Sequence, residues 1–456
     1  MVFWLVLGAL ALILTYLWLI SQRPANFPPG PPGIPFLGNV LSLGSKPAEK
    51  MTEWSKKYGD VFGMYSGRKP VVVINDFRTL RKIFSEDSAS GRSTNSVVRR
   101  ENSPFPSGIG LIGSQGDLWK THRRFALSTL RDLGMGKNWM EDTIIAEVEG
   151  LCQALRETNQ KPFDPKVQLT NSVSNVICAI IFGKRFELTD PKFSRLTRLV
   201  AENMAIIKLD FLCQIIPFLL WFPNSVRTQI LQGRANITAL TEFMKEMIAD
   251  HDVSSRTEHH SGAPDYLYAY QKEKSKTREE TFDELQLVGS LFDLFAAGTE
   301  TTSTTILWAM VFMIENPDVM KKVQKEIDDK VGRDHVLTNA DRSRLPYTEA
   351  NDTGGPALRK PCASRYWKNP EHFEPNRFLD SEQKLIRPDG FVPFSIGKRA
   401  CLGEALAKME LFLFIANLLR CFTLELPTGE TLSHEDYHSS LVDSPNPFTL
   451  IFTSRF

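Results

Sequence analysis

The apolar pattern begins with its longest unbroken run: Val2 to Ile20 is nineteen residues without a charge, rich in Leu, Ile, Trp and Ala. As a helix it spans about 28 Å, close to the hydrocarbon thickness of a bilayer. A cleaved leader has a shorter apolar region and a small-residue cleavage site, whereas Ser21-Gln-Arg23-Pro follows here. Arg23, with no positive charge ahead of the span, places the downstream chain on the cytosolic side. Residues 1–20 are therefore expected to form a single-pass N-terminal transmembrane helix. Phe27-Pro-Pro-Gly-Pro-Pro-Gly33 excludes helix and lacks N–H donors, so 21–38 reads as a stiff spacer.

Beyond residue 39 the spacing of apolar positions is mostly helical. Leu41–Tyr58 is expected to be one helix, followed by a strand pair, Val61–Ser66 and Lys69–Ile74, around Gly67-Arg-Lys. Helical runs then cover Asp117–Leu130, Trp139–Glu157, Val167–Phe182, Pro191–Lys208, Asn224–Asp252, Thr281–Glu315, Pro317–Val331 and Glu404–Leu419. Strands return around Phe422–Leu426 and Phe448–Thr453. No repeat, low-complexity tract or second linker interrupts 39–456. The expected fold is mainly α with a small β sheet near the termini, as a single large domain.

Composition changes this picture little. Hydrophobic residues at 42% and charged residues at 23% suit a globular protein, and a net charge of +1 argues against a nucleic-acid partner. The six cysteines (152, 178, 213, 362, 401, 421) form no CxxC pair, which argues against a disulfide framework or zinc site and for a reducing, cytosol-facing location.

One cysteine stands apart. Cys401 lies just before the Glu404–Leu419 run, so helix N–H groups and the positive end of the dipole favour its thiolate. Gly397 and Gly403 let the backbone turn tightly and approach a flat ligand, and Arg399 suits an acidic group on that ligand. A buried structural cysteine is the commoner state of a lone cysteine, but the fixed neighbours set this one apart. Phe394-Ser-Ile-Gly-Lys-Arg-Ala-Cys401-Leu-Gly403 resembles the haem-binding loop of the cytochromes P-450, Phe-x-x-Gly-x-Arg-x-Cys-x-Gly, at every fixed position. The resemblance implies the P-450 fold, haem b, iron ligation by Cys401, and cofactor contacts from Phe394, Gly397, Arg399 and Gly403.

Three further segments carry chemistry. Ala296-Ala297-Gly298-Thr299-Glu300-Thr301-Thr302 places poor helix formers inside the long Thr281–Glu315 run. A threonine hydroxyl bonding one turn back bends such a helix and leaves a polar notch. The segment resembles the family's oxygen-activation motif, which implies that Thr301 steers protons, that Glu300 takes part in their delivery, and that Ala297 lies against the cofactor. Trp119 and Arg123 sit one turn apart as pure donors suited to a carboxylate. In the family such a pair holds a haem propionate; with Arg399 it makes a cradle for two. Glu371-His-Phe-Glu-Pro375-Asn-Arg377-Phe378 resembles the family's meander, in which Arg377 corresponds to an arginine locked to an upstream helix by an ion pair.

That upstream helix has no counterpart in the sequence. Family members carry a Glu-x-x-Arg helix soon after a segment like Leu345-Pro-Tyr-Thr-Glu-Ala350, whereas here Asn351–Arg365 is rich in Gly and Pro and reads as loop. Glu374-Pro-Asn-Arg377 contains a proline and is not that helical pair. Arg377, if buried without its carboxylate, costs about 3–5 kcal/mol. Missing strands also leave exposed edges and a gap in the pocket wall.

The resemblance extends to Phe182-Gly-Lys-Arg-Phe and Asp293-Leu-Phe-Ala-Ala-Gly, wording of the animal microsomal branch that oxidises drugs and fatty acids. It implies a monooxygenase of the endoplasmic reticulum membrane that uses O2 on a lipophilic substrate. Electrons come from NADPH through a flavoprotein reductase, docked near Lys120, Arg124 and Lys398. Candidate cavity residues are Phe105–Leu111, Phe211, Asp293, Ala297, Thr301 and Leu441–Val442. Two alternatives stand beside it: a shortened isoform that holds haem poorly or is inactive, and a reductase-independent enzyme that rearranges peroxides.

Overall fold

The computed structural model describes residues 23–456, apart from 45, 100–102, 104, 135–137, 258–264, 278–279, 352–368, 370–371, 389 and 439–441; before residue 23 it describes only positions 4, 8 and 15. The expected span at 2–20 thus lies outside the described residues except at those three positions, as do the junction at 352–365, Glu371 and Leu441. No helix among the described residues is long and apolar enough to cross a membrane.

Helices α1 (Val40–Leu43) and α2 (Pro47–Tyr58) replace the single helix expected over 41–58, because Gly44 takes φ +63° and Pro47 opens a new helix. The hairpin β1 (Val61–Ser66) and β2 (Lys69–Ile74) is antiparallel, pairing Val61 with Ile74 and Ser66 with Lys69. Helix α3 (Phe77–Phe84) follows, with the Asp76 carboxylate accepting from Thr79 N–H at 2.8 Å as its cap. Then come α4 (Gly116–Asp132), α5 (Asn138–Arg156), α6 (Lys166–Phe182), α7 (Pro191–Ile215), α8 (Ser225–Thr257), α9 (Tyr266–Lys276), α10 (Glu284–Glu315) and α11 (Pro317–Lys330). After a further helical stretch at 346–351 and the irregular segment around Arg377, α12 (Glu404–Cys421) leads into β3 (Phe422–Glu425), β4 (Tyr437–His438), β5 (Ser444–Pro445) and β6 (Ile451–Ser454).

Helix clearly dominates, as the spacing predicts. Instead of one small sheet, the described strands form three antiparallel pairs: β1–β2, β3–β6 and β4–β5. Helix α7 runs past Lys208 to Ile215, because the loop at 96–98 answers its buried acid. Asp210 accepts from the backbone N–H of Val97 and of Val98, both at 2.8 Å.

The axis of the molecule is α10. Most of its residues are buried, with Ala297 and Thr301 among the exceptions, and it packs on α6, α8, α11 and α12. A largely buried helix must satisfy most of its polar groups itself. Ser290, Thr301, Ser303 and Thr305 therefore each donate to the carbonyl one turn back, at 2.6–2.8 Å. The helix stays unbroken through this stretch. One apolar core links side chains from Val98 to Phe452, and a smaller cluster (Trp54, Phe62, Met64) sits under the first hairpin.

Candidate active site

The loop carrying Cys401 is held from several distant parts of the chain. Its own turn closes where Cys401 N–H donates to Phe394 O at 2.8 Å. Lys398 N–H donates to Phe84 O at 3.1 Å, at the end of α3. Gly397 makes that approach possible: it has φ +77°, and a Cβ there would lie 2.1 Å from Phe84 O. Arg399 donates to the carbonyls of Ser90 (2.8 Å), Leu111 (3.3 Å) and Ser114 (2.6 Å), and its guanidinium lies 3.9 Å over the Trp119 ring. From α4, Arg123 donates to Ala400 O.

These contacts frame a cleft with about 1070 Å³ of empty space, counting the part that opens to solvent. Cys401, Gly403, Arg123 and Arg399 border it on one side, and Ala297, Gly298, Thr301 and Thr302 of α10 border it as well. Leu130, Ile177, Ile180 and Ile181 make its wall mostly apolar.

Electrostatics on the arginine side call for an anion. Arg92, Arg123 and Arg399 converge there, and no described acidic side chain pairs with Arg123 or Arg399. Burial, and then repulsion from Arg92 and Arg123, brings Arg399 down to about 10. Burial also lowers Arg123. Beneath them the Trp119 indole Nε1–H is buried and has no hydrogen-bond partner among the described residues. A buried donor of this kind fits a ligand acceptor. The donor set therefore fits a flat ligand bearing two carboxylates, with Cys401 as a thiolate ligand.

Several expected residues take different places. Gly403 has an ordinary φ of −94° and meets no crowding; its N–H instead acts on the Cys401 sulfur. The thiolate is not favoured on balance: burial raises the Cys401 pKa and Glu404 adds to this, against the Gly403 N–H and Arg123. A bound metal ion reverses that balance, since it deprotonates a coordinating thiol outright. The Phe394 ring lies on the far side of the loop, beside Lys408, and serves the site through its carbonyl.

Thr301 borders the cleft and donates to Ala297 O at 2.6 Å, the back-bond expected of it. Glu300 does not border the cleft; burial raises its pKa, and Lys166 counters. Asp293 does border it, but both its contacts are structural: it accepts from Leu111 and Ile112 N–H at 2.7 Å each. Among the other candidate cavity residues, Leu111 lines the cleft, Phe105 is buried on Phe292, Phe211 is exposed, and Val442 lies elsewhere. Sequence reasoning missed Arg92, the three isoleucines and Glu410. Ile177, Ile180 and Ile181 read as ordinary core, whereas Glu410 was detectable as the one acid in Met409-Glu-Leu-Phe-Leu-Phe414.

Arg377 is not left with a bare charge. It donates to the carbonyls of Glu374 (3.2 Å), Asn369 (3.1 Å) and His372 (2.8 Å), and its Nη2 lies 3.5 Å from the Glu374 carboxylate. The proline-bearing Glu374–Arg377 pair, excluded as the helical pair, thus supplies a carboxylate through the 3₁₀ turn Pro375–Phe378.

An apolar cleft floored by a cysteine loop and fringed by arginines defines a haem-thiolate site on a mainly helical scaffold. Comparison with known proteins agrees. The family model described as Cytochrome P450 matches residues 28–351 and 363–452. "Cytochrome P450 18a1" of Drosophila melanogaster is 34% identical over 498 aligned positions, covering 98% of this chain and 91% of the relative. "Cytochrome P450 2C8" of Homo sapiens is 34% identical, with 92% of each chain covered. "Cytochrome P450 2C28" of Mesocricetus auratus is 35% identical, again with 92% of each covered. The chain belongs to the cytochrome P450 family, the haem-thiolate monooxygenases that bind haem b through a cysteine thiolate.

Proposed function

We propose that the chain inserts one oxygen atom from O2 into a lipophilic small molecule (fatty acid, steroid or xenobiotic), with electrons from NADPH through a flavoprotein reductase. The observation that carries this reading is one mostly apolar cleft bordered at once by Cys401 and by Ala297, Gly298 and Thr301. Haem b bound there supplies the reducible metal and the oxygen chemistry. Cys401 would ligate it, and Trp119, Arg123 and Arg399 would hold its acidic groups. Thr301 gives its hydrogen to Ala297 O, so its oxygen stays an acceptor for a proton-bearing group in the cleft. The isoleucines of α6 exclude water and favour an apolar substrate.

For the reductase, Lys120, Arg124 and Lys398 remain the candidate docking cations, with a modification. Lys120 and Lys398 share the exposed Asp87, so part of their charge is already answered, and Arg124 is the cation without an ion pair among the described residues. Reversing all three charges is expected to slow reductase-driven turnover; unchanged turnover removes the docking role. Attachment to the endoplasmic reticulum membrane through 2–20, domain to the cytosol, draws support from an apolar surface where the hinge enters the domain. Ile34 and Phe36 are exposed there, and Gly67 of the first hairpin meets Ile215, next to exposed Phe218, Trp221 and Phe222.

A second reading is favoured by the break in the family match between 351 and 363 and by an alignment of 498 positions against a chain of 456. At that break Asn351 is buried with neither side-chain polar atom partnered among the described residues. These support a form lacking an internal family segment and holding haem poorly. The absorbance spectrum of the reduced, carbon-monoxide-bound chain tests both. The long-wavelength Soret band of thiolate-ligated haem supports the monooxygenase; the shorter-wavelength band, or no haem, supports the impaired form. Peroxide turnover without NADPH favours the peroxide-rearranging alternative.

A further inference from the structure

Two buried cysteines meet where α5 packs on α12. Cys152 lies one turn before the end of α5, and Cys421 is the last residue of α12. Both are free thiols, 3% and 1% exposed. Cys152 and Arg156 are four positions apart on a helix and so share a face. From that face Arg156 places Nη2 3.6 Å from Cys421 Sγ, and the Cys152 thiol is a hydrogen-bond partner of the same sulfur. The backbone of Cys421 is held from the other side, where Arg455 N–H donates to Cys421 O at 2.9 Å.

A buried thiol in apolar surroundings is uncharged and inert. Cys178 is of that kind: burial and then Glu147 raise its pKa well above the ordinary thiol range. The pair differs. The hydrogen bond from Cys152 holds the Cys421 thiol below that range, against burial and with help from Arg420 and Arg156. The same hydrogen bond, with burial, pushes Cys152 well above it. A thiolate beside a thiol, with a cation alongside, is what a two-step oxidation requires. Arg156 is itself exposed, so the Cys421 sulfur lies one side chain below the surface, close enough for a small oxidant to reach.

We infer that Cys152 and Cys421 form a reversible disulfide, driven by hydrogen peroxide, that ties the far end of α12 to α5. This is independent of the monooxygenase reading. In the first step the Cys421 thiolate attacks peroxide. An S–O bond forms, the O–O bond breaks, hydroxide leaves, and Cys421 becomes a sulfenic acid. In the second, the Cys152 sulfur attacks that of Cys421. The S–S bond forms, the S–O bond breaks, and the Cys152 proton leaves with the hydroxide as water. Two electrons pass from the thiols to peroxide, and a dithiol reductant returns them. In a reducing compartment one such bond is transient and reports on oxidant, unlike a disulfide framework. Helix α12 begins three residues past Cys401, so the bond anchors the distant end of the helix behind that loop.

Peptide mapping by mass spectrometry tests this on the whole, unmutated chain. The folded protein is exposed to hydrogen peroxide, its remaining thiols are alkylated with iodoacetamide, and it is then digested. The expected result is a peptide pair joined through Cys152 and Cys421 that disappears after dithiothreitol. If both cysteines are recovered alkylated, or if they join only when the chain is unfolded first, the inference is overturned. Peroxide consumed at Cys401 with the pair unjoined overturns it as well. The order of attack has its own readout, the sulfenic-acid probe dimedone. In Cys152→Ser it is expected to mark Cys421, and in Cys421→Ser to mark Cys152 several-fold more slowly; equal rates overturn Cys421 as the attacking thiolate. Denaturant midpoints give the last measurement. A bond that closes so long a loop restricts the unfolded chain, so oxidised wild type is expected to unfold at a higher midpoint than the same protein after dithiothreitol, while C152S shows one midpoint in both states. A wild-type midpoint unmoved by reduction shows that the helices are not tied.

Discussion

The Cys401 loop and the Arg377 segment are both irregular, both contain positive-φ residues (Ser395 and Gly397; Asn369), and both are organised by an arginine that donates to three backbone carbonyls. They differ in where those carbonyls lie. Arg399 reaches Ser90, Leu111 and Ser114, at least 285 positions away in the chain, whereas the carbonyls that accept from Arg377 among the described residues lie within eight positions of it. The Cys401 loop is further fixed by Phe84 and Arg123. Local contacts answer some of an arginine's donors and fix a turn's shape. Only distant contacts fix where that turn sits relative to the rest of the molecule. The loop beneath the cleft has both kinds.

The comparison breaks most sharply at Gly397. Gly397→Ala forces a side chain into left-handed backbone and against Phe84 O. Strain of about 1–2 kcal/mol adds to a lost backbone hydrogen bond of about 1 kcal/mol and the displacement of α3, so about 3 kcal/mol of stability should go. Denaturant midpoints at unchanged slope measure it; a wild-type midpoint would show that Phe84 does not pin the loop. Arg399→Lys comes next. A lysine reaches one of the three carbonyls and leaves two buried acceptors, a loss of about 2 kcal/mol. The same substitution should weaken haem retention, read as haem loss to an apoprotein acceptor.

How much of this was written in the sequence follows the same division between local and distant. The back-bond from Thr301 to Ala297 is a matter of helix geometry, and the residues of the Cys401 loop stand at fixed short spacing, so both were legible. The relative placing of Glu300 and Thr301 was not legible, because neighbouring helix positions point about 100° apart and sequence does not say which of two adjacent polar residues faces the cleft. Helices α3 and α9 are short and signalled mainly by Asp76 and Asp265 as caps. Asp210 reads as a poor choice inside a helix until the loop N–H groups that answer it, more than a hundred residues earlier, are seen. Glu410 and Thr302 are likewise 108 residues apart. Long-range pairing of polar groups leaves little trace in local pattern.

Arg377 sharpens the comparison from the other side. Arg377→Ala removes three carbonyl contacts made over a short stretch of chain, and about 1.5–2 kcal/mol is expected, since the backbone acceptors it leaves are near solvent. Loss of one half of a buried ion pair would instead cost about 3–5 kcal/mol; a value in that range would mean that Arg377 answers a buried acid after all. Glu374→Gln separates charge from shape. The Glu374 side chain is 56% exposed and its contact with Arg377 is 3.5 Å, so screening leaves the pair worth less than about 0.5 kcal/mol. Glutamine keeps the turn and drops the charge. If E374Q matches wild type while R377A does not, the segment is held by its carbonyls. If E374Q costs as much as R377A, the ion pair is the clamp, and the segment has rebuilt locally the electrostatic lock expected from a distant helix.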